Sequence, residues 1–410
     1  MRDLPEGKPG WWGEELLARH PAGSLWAQAG REVTYRELRA QTHRLEGLFR
    51  AHGIRPGATV ALQGTPSFSQ LWSVFALWSI GAQVMLMGQE IRGRELGRLL
   101  DRCRPQFHVS FGSVGRPLLA FHDECEVLVR RMRGGAGTTT DHCLVHFTSG
   151  STGFAKAVGR TPASLLAELD VFRRIGGMPE AGSRVLVLGS AAHSFNLVGG
   201  LLHNMDAGAA TVFPTRAGRP AALRAAIRSR TDTILGTTGH FTELALAERA
   251  VRVPGLRRAV SGGDRLDDRV YARFTERYGV RIGQAYGTTE TGIVAADPTG
   301  WYGPGTVGLV VPGARVRLEG GELQVRLART PYLGEEEPPA RFLADGPHGG
   351  PGWLSTRDRA VFDPASGALR ILGRMDPFAD RGSLTRGPDR ALLLDRAAER
   401  ALTRGGRPRQ

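Results

Sequence analysis

Short apolar strands alternate with amphipathic helices along most of this chain of 410 residues. In the first third, the spacing of apolar residues predicts helices over 33–52, 67–80 and 93–102 and strands over 58–62 and 83–87. Parallel strands need a long crossover between them, usually a helix, so this order predicts a mostly parallel sheet covered by helices. Residues 1–170 are therefore expected to form an α/β lobe.

The alternation continues in the middle of the chain and then gives way to short strands. It predicts strands over 184–188, 210–213 and 233–235 and helices over 197–204 and 221–228. Beyond residue 305, strands over 315–318 and 322–327 flank a Gly-Gly turn. The predicted fold class is α/β, with two doubly wound lobes of mixed or parallel sheet (1–170 and 171–304) and a small β-rich lobe (305–373).

The composition argues against several classes of function. The net charge is +14, but the arginines are scattered and no basic stripe is interleaved with aromatic residues, so we expect no nucleic-acid partner. No apolar run reaches the ~18 residues of a membrane span. An N-terminus without an apolar signal core and three cysteines without metal spacing predict a cytoplasmic protein. Residues 377–410 are expected to form an arginine-rich tail with at most one short helix.

A loop of small and hydroxylic residues leads to Lys156, one of only two lysines among 54 basic residues. The loop residues that can turn backbone N–H groups or hydroxyls towards an anion are Thr148, Ser149, Gly150, Ser151, Thr152 and Gly153. A flexible ammonium follows a phosphate in a way that a planar guanidinium cannot. A strand end over 144–147 precedes the loop and a helix over 164–172 follows it, so we expect the loop to join a strand to a helix. Taken alone, the loop also fits a connection that binds no ligand.

Four further segments carry polar groups suited to a nucleotide. Tyr286, a turn and Glu290 follow a predicted strand over 280–282, and Gly262-Gly263 offers exposed backbone about twenty residues earlier. Asp358 and Arg374 lie sixteen residues apart across a predicted hairpin. A carboxylate and a guanidinium in that arrangement could hold the two hydroxyls of a ribose.

These motifs, in this order, resemble the adenylate-forming (AMP-binding) superfamily of acyl- and aryl-CoA ligases, peptide-synthetase adenylation domains and luciferases. The resemblance extends from residue 33 to Asp376, and five separate motifs match in the expected order. Asp376 falls at the hinge between the family's large and small domains. Residues 1–376 would therefore be the AMP-binding large domain, its N-terminal domain, with ATP and Mg²⁺ as its nucleotide and metal.

The resemblance implies roles in binding the phosphates. Residues 148–156 would be the phosphate-binding loop of the family, with Lys156 as its lysine. Thr289 would contact the α-phosphate. Glu290 would bind Mg²⁺, a hard cation suited to carboxylate and phosphate oxygens.

It also implies roles in binding the nucleoside. Tyr286, next to Gly287, would stack on adenine against the backbone of Gly262 and Gly263. Asp358 would accept hydrogen bonds from the ribose hydroxyls, and Arg374 would donate one nearby. Each residue also has an ordinary structural interpretation, with the tyrosine as a core aromatic and the carboxylates as surface charges.

The resemblance also bears on the acid that is activated. His193 lies in the segment where CoA ligases place a histidine beside the substrate carboxylate. Peptide-synthetase domains commonly have an Asp two residues later, where this chain has Phe195. An unpaired buried ammonium costs several kcal/mol, so an aryl or fatty acid is expected rather than a free α-amino acid. A satisfied core histidine is the alternative for His193.

The chain also departs from the family pattern. Family members continue about 100 residues past the hinge into a small domain with a second catalytic lysine, but only 34 residues without lysine follow Asp376. Ala155 and Ala157 replace a common Pro and Gly of the loop, and Arg357 replaces a usual Gly. We hypothesise that Arg357 supplies part of the missing charge, so that its replacement by Gly lowers activity.

Three functions follow from these matches and departures. The chain activates a carboxylic acid as an acyl-adenylate, aided by a separate small domain in trans or by a substitute cation. In the second interpretation, it makes an acyl-adenylate or an acyl-thioester for a carrier protein within a biosynthetic pathway, with CoA as the other possible thiol acceptor. Alternatively, it is a non-catalytic or partner-dependent remnant that binds a nucleotide or an acyl group.

Overall fold

The computed structural model describes residues 11–112, 120–148, 156–246, 251–333, 341–346 and 350–375. The chain divides into two compact units that interleave along the sequence. Unit 1 comprises residues 1–169, 179–236 and 247–257, and unit 2 comprises residues 170–178, 237–246 and 258–410. The lobe boundaries expected at about 170 and 304 stay a prediction, and the tail over 377–410 lies outside the described residues.

The helices of the described residues are α1 (Glu14–Ala18), α2 (Tyr35–Ala51), α3 (Phe68–Ile80), α4 (Gly93–Cys103), α5 (Pro162–Arg174), a π-helix (Phe195–Leu202), α6 (His203–Ala207), α7 (Arg219–Arg228), α8 (Thr238–Ala245) and α9 (Asp268–Tyr278). The strands up to the middle of the chain are β1 (Leu25–Ala29), β2 (Arg31–Thr34), β3 (Thr59–Gly64), β4 (Gln83–Met87), β5 (Phe107–Phe111), β6 (Val127–Arg131), β7 (Leu144–Thr148), β8 (Lys156–Arg160), β9 (Arg184–Val187), β10 (Ala210–Val212) and β11 (Thr233–Thr237). The later strands are β12 (Arg258–Gly262), β13 (Ile282–Thr288), β14 (Gly292–Asp297), β15 (Leu309–Val310), β16 (Val316–Glu319), β17 (Glu322–Leu327), β18 (Phe342–Ala344), β19 (Gly352–Phe362) and β20 (Leu369–Arg374).

Unit 1 contains two groups of mainly parallel strands. The first has the order β6-β5-β3-β4-β7-β8, parallel from β5 to β7, with an antiparallel strand at each edge. The second has the order β11-β9-β10-β1-β2, with only β2 antiparallel. The predicted α/β class with mixed or parallel sheets is confirmed.

The helices of unit 1 begin and end where their sequence signals lie. Thr34 caps α2 by accepting a hydrogen bond from the backbone N–H of Glu37, so the helix begins two residues later than the apolar pattern predicts. Ser67 caps α3 in the same way, and Gly81 ends that helix in the left-handed conformation. Nearly every side chain of α3 is buried, which places the helix in the core of the unit.

Unit 2 contains a mixed sheet and a small antiparallel sheet. Strands β12 and β13 are parallel, β14 and β15 continue antiparallel, and α8 and α9 pack beside β12 and β13. The small sheet has the order β16-β17-β19-β18, with β20 paired to β19. The predicted strands on either side of the Gly-Gly turn pair as the hairpin β16–β17, whereas the limits of the β-rich lobe (305–373) stay a prediction.

One predicted element was wrong in kind, and one hairpin was not predicted. The segment predicted as a helix over 197–204 is a π-helix (Phe195–Leu202) followed by the short α6. The hairpin β1–β2 was not predicted, because Gly30 forms a one-residue turn that leaves only short strands on either side. Within the described residues, no helix combines the length and apolar character that crossing a membrane requires. The cytoplasmic location stays a prediction.

Candidate functional site

The phosphate-loop segment lies between two antiparallel strands, which corrects the predicted strand-to-helix connection. Thr148 ends β7 and Lys156 begins β8, and the two residues are direct partners across the pair. The helix α5 follows only after β8. The strand was missed because its five residues are nearly all buried and show no apolar–polar alternation. Ser149, Gly150, Ser151, Thr152 and Gly153 lie outside the described residues.

The strand that carries Tyr286 is longer than predicted. It was expected over 280–282, with the tyrosine after it, whereas β13 runs from Ile282 to Thr288 and includes Tyr286 and Gly287. Glycine weakens the prediction of a strand, but here a side chain at position 287 would collide with the backbone of Gly292 on β14. The close approach of the two strands therefore requires glycine and continues the strand through it.

Tyr286 and Asp358 meet inside unit 2. The tyrosine is 8% exposed and packs among apolar residues of both sheets of the unit. Its hydroxyl donates a hydrogen bond of 2.6 Å to Oδ2 of Asp358, which is 5% exposed. Burial, together with the adjacent carboxylate, holds the pKa of Tyr286 far above its ordinary value, so the phenol stays a donor at all physiological pH.

Arg374 completes this group across the predicted hairpin. Asp358 on β19 and Arg374 on β20 are direct partners in the antiparallel pair, and Nε of the arginine lies 3.2 Å from Oδ1 of the aspartate. Its Nη1 also donates to the carbonyl oxygen of Thr356 at 3.0 Å. Burial raises the pKa of Asp358, and the hydrogen bond from Tyr286 and the charge of Arg374 act in the opposite direction.

A bulge in β19 sets the direction of Asp358. Glu322 of β17 pairs with Arg359 of β19 and Gln324 pairs with Ser355, so β19 contains two more residues than β17 between these pairs. The side chains of Thr356 and Asp358 within this bulge are both buried. Arg357 between them has φ +60°, in the left-handed region that favours glycine. This conformation explains why a glycine suits the position and why the arginine is a departure with a physical cost.

Gly262 and Gly263 lie beside Tyr286 as predicted. Gly262 ends β12 and is the partner of Ala285 in the parallel pair with β13. Gly263 follows with φ +99° and is exposed. Gly262 therefore lies on the strand next to the one that carries Tyr286, opposite the residue that precedes the tyrosine.

Thr289 and Glu290 lie at the tip of the hairpin between β13 and β14. The backbone N–H of Thr288 donates to the hydroxyl of Thr291, and that of Thr291 donates to the hydroxyl of Thr288, at 3.0 and 3.3 Å. These two bonds close the turn and fix the three residues between the strands. The threonine and the glutamate of the tip are partly buried.

Glu290 has partners that the sequence did not reveal. Its Oε1 accepts a hydrogen bond of 3.3 Å from the hydroxyl of Tyr332 and lies 3.8 Å from Nη1 of Arg341. The arginine side chain is 14% exposed, and its Nε finds no hydrogen-bond partner among the described residues. Its charge also lowers the pKa of Asp358. One arginine among so many in the chain carries no distinguishing signal, so sequence reasoning had no means to select it.

His193 lies in unit 1 just before the π-helix. It is exposed, and its carbonyl oxygen accepts the backbone N–H groups of Asn196 and Leu197. Its charge contributes to lowering the pKa of the nearby His146 on β7 to about 3, an effect due mainly to complete burial and then to Arg160. The exposed side chain argues against the alternative of a core histidine for His193, whereas His146 is buried and neutral at physiological pH.

The oxygen groups of unit 2 fit magnesium only as a site shared with phosphate. The described residues contain no group of three or more His, Cys, Asp or Glu side chains that could hold a metal by themselves. Mg²⁺ is commonly held by one or two carboxylates together with phosphate oxygens and water. The single carboxylate of Glu290 fits that donor set.

The chain is similar in sequence to known proteins. A family model described as AMP-binding enzyme matches residues 14–329. Novobiocin biosynthesis protein H of Streptomyces niveus is 30% identical over 336 residues, covering 74% of this chain and 53% of that protein. The 3-hydroxybenzoate--CoA/4-hydroxybenzoate--CoA ligase of Thauera aromatica is 25% identical over 342 residues, covering 74% of this chain and 65% of the ligase. This chain thus spans less than two thirds of the length of either relative.

The fold is shared with solved structures. The anthranilate CoA ligase AuaEII, solved with anthranoyl-AMP, superposes with a TM-score of 0.75 at 19% identity, covering 90% of this chain and 79% of the ligase. At this identity the similarity concerns the fold alone.

Proposed function

The chain belongs to the family of AMP-binding enzymes, and from this premise we propose that it activates a carboxylic acid with ATP as an acyl-adenylate. In this reaction a carboxylate oxygen of the acid bonds to the α-phosphorus while the bond from that phosphorus to pyrophosphate breaks. The observation that carries the proposal is the group formed by Tyr286, Asp358 and Arg374, with its buried, hydrogen-bonded carboxylate.

The nucleoside would be held by residues of unit 2. The ring of Tyr286 and the backbone of Gly262 and Gly263 suit a flat base, since a glycine edge lets the base approach the backbone closely. Asp358 would accept the ribose hydroxyls. Tyr286 and Arg374 support that role because they favour the ionised carboxylate, an acceptor only, against the effect of burial.

A second set of residues would hold the phosphates. We assign Lys156 and the loop that precedes it (148–155) to the phosphate groups, and Thr289 at the β13–β14 tip to the α-phosphate. Glu290 would hold Mg²⁺, which when bound neutralises charge on the phosphate oxygens. Positioned cations and donors of this kind supply most of the catalysis in phosphoryl and nucleotidyl transfer.

The acid is proposed to be aromatic and the acceptor a thiol. Hydroxybenzoates appear in the name of the Thauera relative, which supports an aryl acid over a fatty acid. The exposed side chain of His193 is available to the substrate carboxylate. CoA is the proposed acceptor, with a carrier-protein thiol as the alternative.

Pyrophosphate exchange into ATP tests the proposal, with benzoate, hydroxybenzoates, aminobenzoates and medium-chain fatty acids as the panel. We expect exchange with an aryl acid and a loss of 10²–10³-fold or more in Lys156→Ala, the typical cost of removing one positioned donor. Lys8→Ala is the matched control, because it removes the only other lysine of the chain and should leave the rate unchanged. ATP binding without exchange on any acid would contradict the proposal.

Lys156→Arg sharpens the same experiment. Arginine keeps the charge but not the compact ammonium, so we expect it to restore only a small part of the rate. Thioester formation from the adenylate is then followed with CoA and with a phosphopantetheinylated carrier protein. A thioester that forms with CoA but not with the carrier protein identifies CoA as the acceptor.

A further inference from the structure

We propose that Glu322 is a positioning residue that holds the ribose-binding carboxylate of Asp358 in place by clamping the bulge of β19. The inference rests on the proposed function, because it assigns to Asp358 the ribose hydroxyls. Glu322 begins β17, on the strand beside the bulge, and no part of the sequence motifs selected it.

The clamp consists of two hydrogen bonds to one carboxylate oxygen. Oε1 of Glu322 accepts the backbone N–H of Arg357 at 2.8 Å and also a hydrogen bond from the hydroxyl of Ser355. A third bond ties the bulge to the same strand, since the hydroxyl of Thr356 donates to the carbonyl oxygen of Leu323 at 2.7 Å. All three residues that precede Asp358 are therefore fixed to the first two residues of β17.

The clamp is needed because the bulge is unfavourable for this sequence. Arg357 has φ +60°, a conformation that residues with a Cβ rarely adopt, and its backbone N–H would have no ladder partner at the bulge without Glu322. A return of Arg357 to extended backbone would change the direction of the next side chain, which is Asp358. The distance of 2.6 Å between Tyr286 and Asp358 depends on that direction.

Nucleotide binding to a small set of variants tests the inference. ATP and 2′,3′-dideoxy-ATP are titrated calorimetrically into the full chain, its Glu322→Ala variant and its Glu322→Gln variant. We expect Glu322→Ala to lose about tenfold in ATP affinity, the scale of one hydrogen bond to a charged group, and to lose little dideoxy-ATP affinity. Glu322→Gln keeps an acceptor oxygen and should retain most of the discrimination between the two nucleotides.

Glu319→Ala is the matched control. Glu319 is the direct partner of Glu322 across the β16–β17 hairpin, but its side chain is 58% exposed and pairs with Arg317. It removes the same charge from the neighbouring strand without touching the bulge, so both affinities should remain as in the unmodified chain. If Glu322→Ala loses the same affinity for both nucleotides, or loses no affinity for either, the inference is overturned.

A second measurement separates failure of the clamp from failure of the proposed function. Glycine adopts φ +60° without a clamp, so Glu322→Ala should lower the urea midpoint less in an Arg357→Gly background than in the native one. If the shifts of the urea midpoint caused by the two substitutions simply add, the clamp is contradicted whatever the protein binds. If the shifts are coupled but the unmodified chain binds both nucleotides equally, the ribose role of Asp358 is refuted and the positioning role is refuted with it.

Discussion

The phenolic oxygen of Tyr286 lies 2.6 Å from the carboxylate of Asp358, although the two residues are 72 positions apart and belong to different sheets of unit 2. Asp358 would otherwise be a buried acid inclined to keep its proton, since burial raises its pKa. The hydroxyl and the facing guanidinium of Arg374 oppose that rise. The ring proposed to stack on a base and the carboxylate proposed to bind a sugar are thus in direct contact, and the tyrosine hydroxyl lowers the pKa of that carboxylate.

Replacing Tyr286 by Phe should weaken ATP binding and move its pH dependence upward. The ring remains for stacking, but the ionised carboxylate loses a donor worth about 1.5–3 kcal/mol, so affinity should fall by tenfold or more. Because that donor lowers the pKa of Asp358, the pH at which binding is half-maximal should rise. Titrations of ATP between pH 4 and 8 measure both effects.

Tyr278→Phe serves as the control for that change. Tyr278 lies on α9 of unit 2. Its hydroxyl, like that of Tyr286, donates a hydrogen bond, but the acceptor is the backbone carbonyl of Leu244 instead of a carboxylate. An equal loss of ATP affinity in both variants would show that general destabilisation, and not the contact with Asp358, is responsible.

His146 should make the stability of unit 1 depend on pH. Burial lowers the pKa of His146 from 6.5 to about 3, so the unfolded chain takes up a proton in this interval and the folded chain does not. Stability contributed by the neutral imidazole is present above pH 6.5 and is lost as the pH falls towards 3. Urea unfolding at a series of pH values should therefore show that the free energy of unfolding falls more steeply with decreasing pH in the unmodified chain than in His146→Leu. His52 is exposed, so His52→Leu should retain the slope of the unmodified chain.

Arg341→Met should destabilise unit 2 and strengthen metal binding at Glu290. The change leaves a carboxylate that is 9% exposed without its nearest cation, at a cost of about 1–3 kcal/mol. It also removes the positive charge that a divalent cation would meet at Glu290. Thermal unfolding and Mn²⁺ binding followed by electron paramagnetic resonance, with ATP present, measure the two effects.

Arg326→Met is the matched variant for comparison. Arg326 also forms an ion pair with a carboxylate in the small sheet, but its partner Asp345 is 49% exposed, so its loss should cost at most about 1 kcal/mol. Unchanged Mn²⁺ affinity in Arg341→Met would refute a competition between the arginine and the metal.

Contacts within one local motif could be predicted from the sequence, whereas contacts between residues that the fold brings together from distant positions could not. The pairing of Asp358 with Arg374 followed from a hairpin pattern and was confirmed. The contact of Tyr286 with Asp358 could not be predicted, because it depends on how the two sheets of unit 2 pack. Arg341 is a residue type that the chain uses throughout, so only its burial beside Glu290 distinguishes it.

Two strand predictions were wrong for a related reason. Gly287 and Gly292 look like turn residues in sequence, yet Gly287 continues β13 because the neighbouring backbone excludes any side chain there. The pairing of β7 with β8 on either side of the proposed phosphate loop was missed because a strand buried on both faces has no alternating pattern. In both places the tertiary environment, rather than local propensity, decides the element.

Arg357→Gly should raise stability and decide whether the arginine charge matters for activity. Releasing a non-glycine residue from φ +60° should stabilise the fold by about 1 kcal/mol, reduced by the greater entropy of glycine in the unfolded chain. If the guanidinium stabilises charge on the phosphates, pyrophosphate exchange should fall at the same time. Arg357→Asn tolerates the left-handed conformation better than most residues and also removes the charge, so it should lower exchange equally. A more stable Gly variant with undiminished exchange would show that the arginine has no role in charge stabilisation, and unchanged stability would contradict the strain argued for the bulge.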